Sequence, residues 1–175
     1  MPPSSASASA SRASLGLVHP SVDHVTRVLA DLGASNASDN IRVLPEAART
    51  AAAAADQLGI TVAQIANSLI FAADGTPLLV MASGGHRVDT AKVATVIGAE
   101  RVERATPEFV REHTGFAIGG VAPVGHPAPI RTLVDVELQQ YDEVWAAAGH
   151  PNTVFPTTYD ELLAITGGEP AEIGH

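Results

Sequence analysis

Two apolar runs separated by a tight-turn dipeptide are the feature that most constrains the fold of this chain. Residues 65–73 and 77–82 carry no charged side chain, and Asp74-Gly75 stands between them. Asp-Gly favours the positive φ angles of a hairpin turn, and runs of this length suit strands that are buried in a sheet. We therefore predict a central β-hairpin, against which the other elements must pack.

Helical and extended patterns alternate irregularly around this hairpin. Apolar spacing, capping residues and glycine stops predict helices that start after Pro20-Ser21, at Pro45, at Asp89, at Thr106-Pro107 and at Thr157 or Thr158. In the helix from Asp89 to Ile97, the pattern turns Val93, Val96 and Ile97 inward. Extended patterns predict strands at residues 41–44, 131–136, 143–148 and 153–155. Because the strands and helices do not follow strict βαβ repetition, we predict a mixed α+β domain rather than a doubly wound sheet.

Length and composition indicate one domain. The chain has 175 residues, of which 46% are hydrophobic, so residues 20–175 can enclose a single core. Residues 1–19 are dominated by Ser, Ala and Pro, and we expect them to form a flexible tail. The absence of cysteine excludes disulfides and thiolate chemistry. No apolar run approaches the roughly 20 residues of a membrane helix. We therefore expect a soluble cytoplasmic protein with no membrane partner.

The charge distribution argues against general binding of nucleic acid. The net charge is −9, whereas affinity for nucleic acid comes largely from Lys and Arg that neutralise phosphates. Residues 86–113 are different, because five basic residues there balance five acidic ones. We predict that this segment is the part of the chain that contacts phosphate. The alternative is that it forms solvated helix faces with local ion pairs.

A glycine-rich loop, Gly115-Phe-Ala-Ile-Gly-Gly-Val-Ala-Pro-Val-Gly125, exposes unhindered backbone beside a proline. Upstream of it run Gln64-Ile-Ala-Asn-Ser-Leu-Ile-Phe71 and Arg87-Val-Asp-Thr-Ala-Lys-Val-Ala94. Downstream run Ala148-Gly-His150 and Thr158-Tyr-Asp-Glu-Leu-Leu163. In this order and at these separations, the segments resemble the YbaK/EbsC family of free-standing editing domains over residues 40–170.

The resemblance implies a fold and an activity. The family fold is a mixed, partly barrel-like β-sheet surrounded by helices, and its members hydrolyse mischarged aminoacyl-tRNA. We therefore expect an enzyme, a trans-acting aminoacyl-tRNA deacylase that releases a small amino acid such as alanine, serine or cysteine from proline tRNA. The expected partners are the aminoacylated acceptor end of a tRNA and a synthetase that could hold that tRNA. The oligomeric state is left open.

The resemblance also assigns roles within the loop. Gly119 to Pro123 matches the GxxxP pattern of the family, so the amides of Gly119 and Gly120 are expected to bind the oxyanion, with Val121 and Pro123 beside the substrate. A single oxyanion donor of this kind contributes about 10²–10³ in rate. His150 corresponds to a histidine that lines the site in some members. We expect it to contact substrate or water, with His86 and His126 as weaker candidates.

Asn67 occupies the position where well-studied relatives carry a lysine, and Ser68 follows it in the substrate-binding run. An amide can donate a hydrogen bond, but it brings no positive charge and does not titrate. Asn67 therefore either serves as a neutral donor to the substrate or satisfies backbone groups inside the sheet. Lys92 and Arg87 are the candidates for the acceptor end of tRNA, although Lys92 could instead form an ordinary ion pair with Asp89.

Ligand spacings typical of metals are absent from the sequence, and so are phosphate-binding loops and the nucleophile elbow of serine hydrolases. We therefore predict no metal and no cofactor. Two other functions remain open beside the deacylase. The chain could be a catalytically weak or inactive module that binds an aminoacyl end or a related nucleotide, or it could hydrolyse another small ester unrelated to tRNA.

Overall fold

The computed structural model describes residues 19–48 and 50–174. Within them lie the helices α1 Pro20–Asp31, α2 Ser35–Asp39, α3 Ala51–Leu58, α4 Thr90–Ile97, α5 Pro107–Thr114 and α6 Tyr159–Thr166. The strands are β1 Arg42–Val43, β2 Ile65–Ala73, β3 Thr76–Ser83, β4 Val102–Arg104, β5 Arg131–Asp135, β6 Val144–Ala147, β7 Thr153–Thr157 and β8 Glu169–Ala171. Except for His19, the predicted tail lies outside the described residues.

All eight strands belong to one mixed sheet. Their order is β1, β7, β6, β2, β3, β5, β8, and β4 pairs with β2 beside this path. Strand β2 is parallel to β6, β3 to β5 and β5 to β8, whereas the other pairs are antiparallel. Helices pack around the sheet, so the predicted mixed α+β class is confirmed. The barrel-like closure that the family resemblance implied stays a prediction.

The predicted hairpin is the centre of the sheet. Strands β2 and β3 pair from Ala66↔Ser83 to Ala73↔Thr76. The two turn residues between them both have positive φ, 49° at Asp74 and 82° at Gly75, as a tight hairpin turn requires. The Asp74 carboxylate also accepts from the backbone amides of Glu100, at 3.1 Å, and Arg101, at 2.9 Å. The turn residue therefore holds the start of β4 beside the hairpin.

Side chains of β2 alternate between two faces of the sheet, as the strand period requires. Ala66 and Ile70 belong to the largest core cluster, which also contains residues of α1, α5 and α6. Leu69 and Phe71 pack on the other face with residues of α4. Ile65, also at an odd position, packs with α3 and Trp145. Asn67 therefore lies in an otherwise apolar row on the second face.

Strand β2 is incompletely paired on its second edge. One edge runs along β3 for its full length. On the other edge, β6 pairs only with Ile65 and Ala66, and β4 pairs only with Phe71 to Ala73. Residues 67–70 therefore have a strand partner on one side only. We call this gap between β6 and β4 the notch.

The start of helix α3 was predicted wrongly. It begins at Ala51, not at Pro45, and the Thr50 hydroxyl caps it by accepting from the Ala53 amide at 3.1 Å. The segment after Pro45 instead runs beside the β6–β7 connection, where the Ala48 amide donates to the Pro151 carbonyl at 3.0 Å. Hydrogen bonds to a distant segment thus hold residues 44–48 outside the helix, although proline suits a first turn.

Helix α4 follows its prediction except at Val96. Asp89 caps the helix by accepting from the Lys92 amide at 3.1 Å. Val93 is buried and Ile97 is partly buried, but Val96 is 46% exposed. At 100° per residue the buried stripe runs through positions 90, 93, 94 and 97, and this leaves position 96 on the solvent side. The predicted inward orientation of Val96 is wrong.

Candidate functional site

A cavity of about 540 Å³ opens at the notch. Its lining includes Asn67 and Ser68 of β2, Ala146 of β6, and Arg104 at the end of β4. The glycine-rich loop contributes Gly119 and Val121. The volume falls within the range of roughly 300–1,000 Å³ that is typical of small-molecule sites. The structure therefore brings the run of β2 that is predicted to bind substrate and part of the glycine-rich loop to one cavity.

The main chain of Ser68 faces the notch. The Ile65 carbonyl accepts from the Gly84 amide at 2.8 Å, so odd-numbered residues of β2 direct their main-chain groups toward β3. Even-numbered residues direct theirs toward the opposite edge. At Ser68 that edge has no strand partner among the described residues. An unpaired amide and carbonyl at a sheet edge are available to a ligand.

The side chains of Asn67 and Ser68 differ in availability. Asn67 is half-buried, and its amide makes no hydrogen bond within the described part of the chain. The alternative in which Asn67 satisfies backbone groups of the sheet therefore does not describe this structure. The Ser68 hydroxyl, on the opposite face, donates to the thioether of Met81 at 3.3 Å. Asn67 is the residue of this pair whose side chain is free to bind.

The glycine-rich loop makes a tight turn at the cavity. The Gly120 amide donates to the Ala117 carbonyl at 3.0 Å, and Gly119 in between has a φ of 92°, as the third position of a type II turn requires. The Gly119 amide makes no hydrogen bond in the described chain. The expected use of the Gly120 amide as an oxyanion donor does not fit this geometry, because its N–H is already engaged.

Val121 and Pro123, the two loop residues predicted to lie beside the substrate, differ in their relation to the cavity. Val121 is buried and lines the cavity at the notch, whereas Pro123 is buried and lines neither of the two cavities described. A Cβ at Gly120 would lie only 2.9 Å from the Cα of His150. Gly120 therefore permits the loop to pack directly against the segment that follows β6.

His150 lies in a second, smaller cavity of about 210 Å³, together with Gly120. Its ring centroid is 4.3 Å from that of His19, and its Nδ1 contacts Oδ1 of Asn152. Burial, and next the charge of His150, lower the pKa of His19. Pro151 lines both cavities. The sequence analysis grouped His150 with Asn67 at one site, but in the structure these two residues line different cavities.

The charged residues that line the cavity at the notch are all basic. Arg87 and Arg104 line it, and no Asp or Glu is among its described lining residues. Neither guanidinium forms an ion pair within the described chain. Lys92 does not line it. Its ammonium lies 4.0 Å from a carboxylate oxygen of Glu172, whereas the Asp89 carboxylate accepts from the backbone amide of Lys92.

One arrangement at this cavity could not be read from the sequence. His86, a minor candidate, lines the cavity, and its Nδ1 lies 2.8 Å from Oδ2 of the buried Asp135. The two residues are 49 positions apart, and no local motif connects them. The other minor candidate, His126, lines neither cavity and contacts the Ala122 carbonyl at 2.8 Å. Burial lowers the pKa of His126, and the hydrogen bond to Ala122 opposes that shift.

The described residues contain no cluster of three or more His, Cys, Asp or Glu that could hold a metal ion. The longest described helix, α1, has 12 residues, and none of the described helices combines the length and apolar character of a membrane span.

Comparisons of the sequence and of the structure with known proteins agree on one family. Residues 45–165 match the model of the aminoacyl-tRNA editing domain. A crystal structure of a candidate trans-editing enzyme for prolyl tRNA synthetase superposes with a TM-score of 0.83 at 42% identity, covering 89% of this chain and 98% of that one.

Two curated relatives cover most of the same region. YwhH of Bacillus subtilis, whose function is uncharacterised, is 30% identical over 128 residues, which are 73% of this chain and 81% of YwhH. EbsC of Enterococcus faecalis, a candidate Cys-tRNA(Pro)/Cys-tRNA(Cys) deacylase, is 28% identical over 125 residues, or 71% of this chain and 76% of EbsC. The family match spans most of the sheet and both sides of the notch. The chain therefore belongs to the aminoacyl-tRNA editing domain family, as its resemblance to YbaK/EbsC predicted.

Proposed function

We propose that this protein is a trans-acting deacylase that hydrolyses the ester between a small, wrongly attached amino acid and the terminal ribose of a tRNA. The observation that carries the proposal is the charge of the cavity at the notch. In a chain of net charge −9, the described residues of its lining include two arginines without ion partners in the described chain and include no carboxylate. Guanidinium groups match phosphate geometry. The cavity thus suits the anionic acceptor end of tRNA.

The relatives support a particular tRNA. EbsC is described as a candidate deacylase of cysteine on proline and cysteine tRNAs, and the similar crystal structure as a candidate trans-editing enzyme for prolyl tRNA synthetase. We extend this to the present chain, with proline tRNA that carries alanine, serine or cysteine as its substrate and the synthetase as its partner. A separate editing step is needed where a synthetase cannot, by binding alone, reject an amino acid similar in size to its own.

The groups at the notch suit an ester that is already reactive. Hydrolysis then requires a positioned water and donors for the oxygen that becomes negative, and no strong nucleophile. The Gly119 amide, the Ser68 amide and the Asn67 side chain line one cavity and have no acceptor in the described chain. In this mechanism the Ser68 and Gly119 amides and the Asn67 side chain donate to the ester oxygen, and Asn67 takes the place of the family lysine as a neutral donor.

A second function is favoured by Asn67 itself. Without a positive charge at that position, the cavity could bind an aminoacyl end and leave the ester intact. An Asn67→Lys variant distinguishes the two functions. If the substitution raises hydrolysis from a negligible level, the natural protein is a binding module. If the natural protein hydrolyses the ester and lysine lowers the rate, the amide is part of a working site.

The test of the proposed function is release of labelled amino acid from proline tRNA charged with alanine, serine, cysteine or proline. The deacylase should release one or more of the first three faster than the spontaneous rate and leave the correct prolyl ester intact. Release of none of them would contradict the proposal. Saturable protection of one ester would instead support the binding module.

A further inference from the structure

The end of β3 carries a histidine that is held by a buried carboxylate. His86 follows β3, and its Nδ1 lies 2.8 Å from Oδ2 of Asp135, which is buried. Two backbone amides complete the surroundings of this carboxylate. Ser83 donates to Oδ2 at 3.0 Å, and Glu137 donates to Oδ1 at 3.0 Å. Asp135 is therefore fixed in place from three directions.

This contact determines which nitrogen of His86 carries the proton. A carboxylate oxygen accepts, so Nδ1 is the nitrogen that donates, and in the neutral ring Nε2 keeps its lone pair. The His86 side chain is 24% exposed and lines the cavity at the notch. Nε2 lies 3.8 Å from Oε2 of Glu137, which is beyond hydrogen-bonding distance. Nε2, the nitrogen that can accept a proton, therefore forms no hydrogen bond with Glu137.

We propose that His86 is the general base of the deacylase and that Asp135 is its positioning residue. This inference rests on the proposed function, because it needs an aminoacyl ester in the cavity. A base held in one tautomer by a third group is the arrangement that activates a nucleophile in many hydrolases. The Ser68 hydroxyl is bound to the Met81 thioether, and the chain contains no cysteine. In the proposed reaction, His86 activates water as the nucleophile.

The proton and the bonds balance in two steps. In the first, Nε2 of His86 takes a proton from water while the water oxygen bonds to the ester carbon, and the π electron pair of the carbonyl moves onto its oxygen. In the second, that pair re-forms the carbonyl, the bond from the carbon to the ribose oxygen breaks, and the imidazolium returns the proton to the leaving oxygen. The products are the free amino acid and a tRNA with a free terminal hydroxyl. No other reactant is consumed.

Ionisable groups of both signs surround the charged ring that forms between these steps. Asp135 contacts one nitrogen, and Glu137 lies near the other. Arg87, the next residue in the chain, lines the same cavity. The two carboxylates stabilise an imidazolium, whereas Arg87 opposes it. General-base catalysis of this kind contributes about 10²–10⁴ in rate.

The test uses the intact protein and a proline tRNA mischarged with the amino acid that wild type releases. His86→Asn keeps a donor near the Nδ1 position but has no titratable base, so the single-turnover rate should fall by about 10²–10⁴. As expected for a general base, wild type should show a rate that rises with pH, and His86→Asn should lack this rise. Added imidazole should partly restore His86→Ala, which a purely structural role would not allow.

His113→Asn is the matched control, because His113 lies on α5, next to the carboxylate of Glu112 and outside both cavities. Its rate and pH profile should equal those of wild type. If wild type is active and His86→Asn keeps both its rate and its pH dependence, the role of His86 is wrong while the proposed function stands. If wild type releases no amino acid from any mischarged tRNA, the proposed function fails, and the role of His86 fails with it.

Discussion

The backbone of Gly120 lies so close to His150 that a side chain at position 120 would collide with it. A Cβ there would be 2.9 Å from the Cα of His150 and 3.1 Å from its carbonyl carbon. Because these atoms belong to the backbone, no rotamer change relieves the collision. The contact joins the glycine-rich loop, which carries Gly119, to the segment of His150 and Pro151.

Gly120→Ala should therefore destabilise the protein and weaken the site. Overpacking of this kind costs about 1–3 kcal/mol in the free energy of unfolding, and displacement of Gly119 should lower the deacylation rate as well. Denaturant unfolding measures the first effect. Gly85→Ala is the control for stability, since a Cβ there would meet nothing closer than 3.4 Å. Equal stabilities of the two variants would show that the loop is free to move away from His150.

Asn67→Ala should reduce deacylation without unfolding the protein. The Asn67 amide makes no hydrogen bond within the described chain, so its removal costs little stability. Loss of a donor to the developing oxyanion lowers the rate by about 10². Single-turnover release measures the change, and Asn36→Ala on α2, outside both cavities, serves as the control. A fully active Asn67→Ala would remove Asn67 from the mechanism.

Arg87→Gln and Arg104→Gln should weaken tRNA binding and leave the chemical step nearly unchanged. Each variant should raise KM about tenfold or more, because a charged hydrogen bond contributes about 1.5–3 kcal/mol. Each should also reduce the slope of log affinity against log salt by about 0.7. Arg101→Gln is the control, since Arg101 pairs with Glu103 at 3.0 Å and lies outside the cavity. If the slope of log affinity against log salt is unchanged in Arg87→Gln and Arg104→Gln, the tRNA phosphates bind outside this cavity.

The stability of the fold should decrease as the pH falls below neutrality. Burial lowers the pKa of His19 and of His126 below the ordinary value of 6.5, so the unfolded chain takes up protons more readily than the folded protein. The contribution to stability is complete above pH 6.5 and is lost as the pH falls toward the lowered pKa values. Urea unfolding across this range should show a shallower loss in a His19→Asn/His126→Gln variant. If the variant and wild type lose stability in parallel as the pH falls, the two histidines are not the cause of the loss.

Local signals in the sequence predicted the central elements well. Asp74-Gly75 indicated the hairpin because both turn positions need positive φ. The hydroxyls of Thr106 and Thr158 cap α5 and α6 as their sequence pattern indicated. Strands β4 and β8 have three residues each, which is too few for an alternation to be recognised, and they were missed.

The site itself depends on contacts that no local pattern encodes. The notch exists because β6 leaves β2 after Ala66 and β4 joins it only at Phe71. His86 meets Asp135 across 49 residues. The family resemblance identified Asn67 and Gly119, which line the cavity at the notch, but it also grouped them with His150, which lies beyond Pro151. Motif position alone did not show which of the two cavities a side chain lines.

Single-turnover release of labelled amino acid from mischarged proline tRNA, with wild type beside Asn67→Asp, tests the central claim most directly. The substituted carboxylate would keep the shape of the side chain but remove its donor and place a negative charge beside the developing oxyanion. The account predicts release by wild type well above the spontaneous rate and a loss of at least about 10² in Asn67→Asp. Equal rates for the two proteins, or no release above the spontaneous rate by wild type, would contradict hydrolysis at the notch.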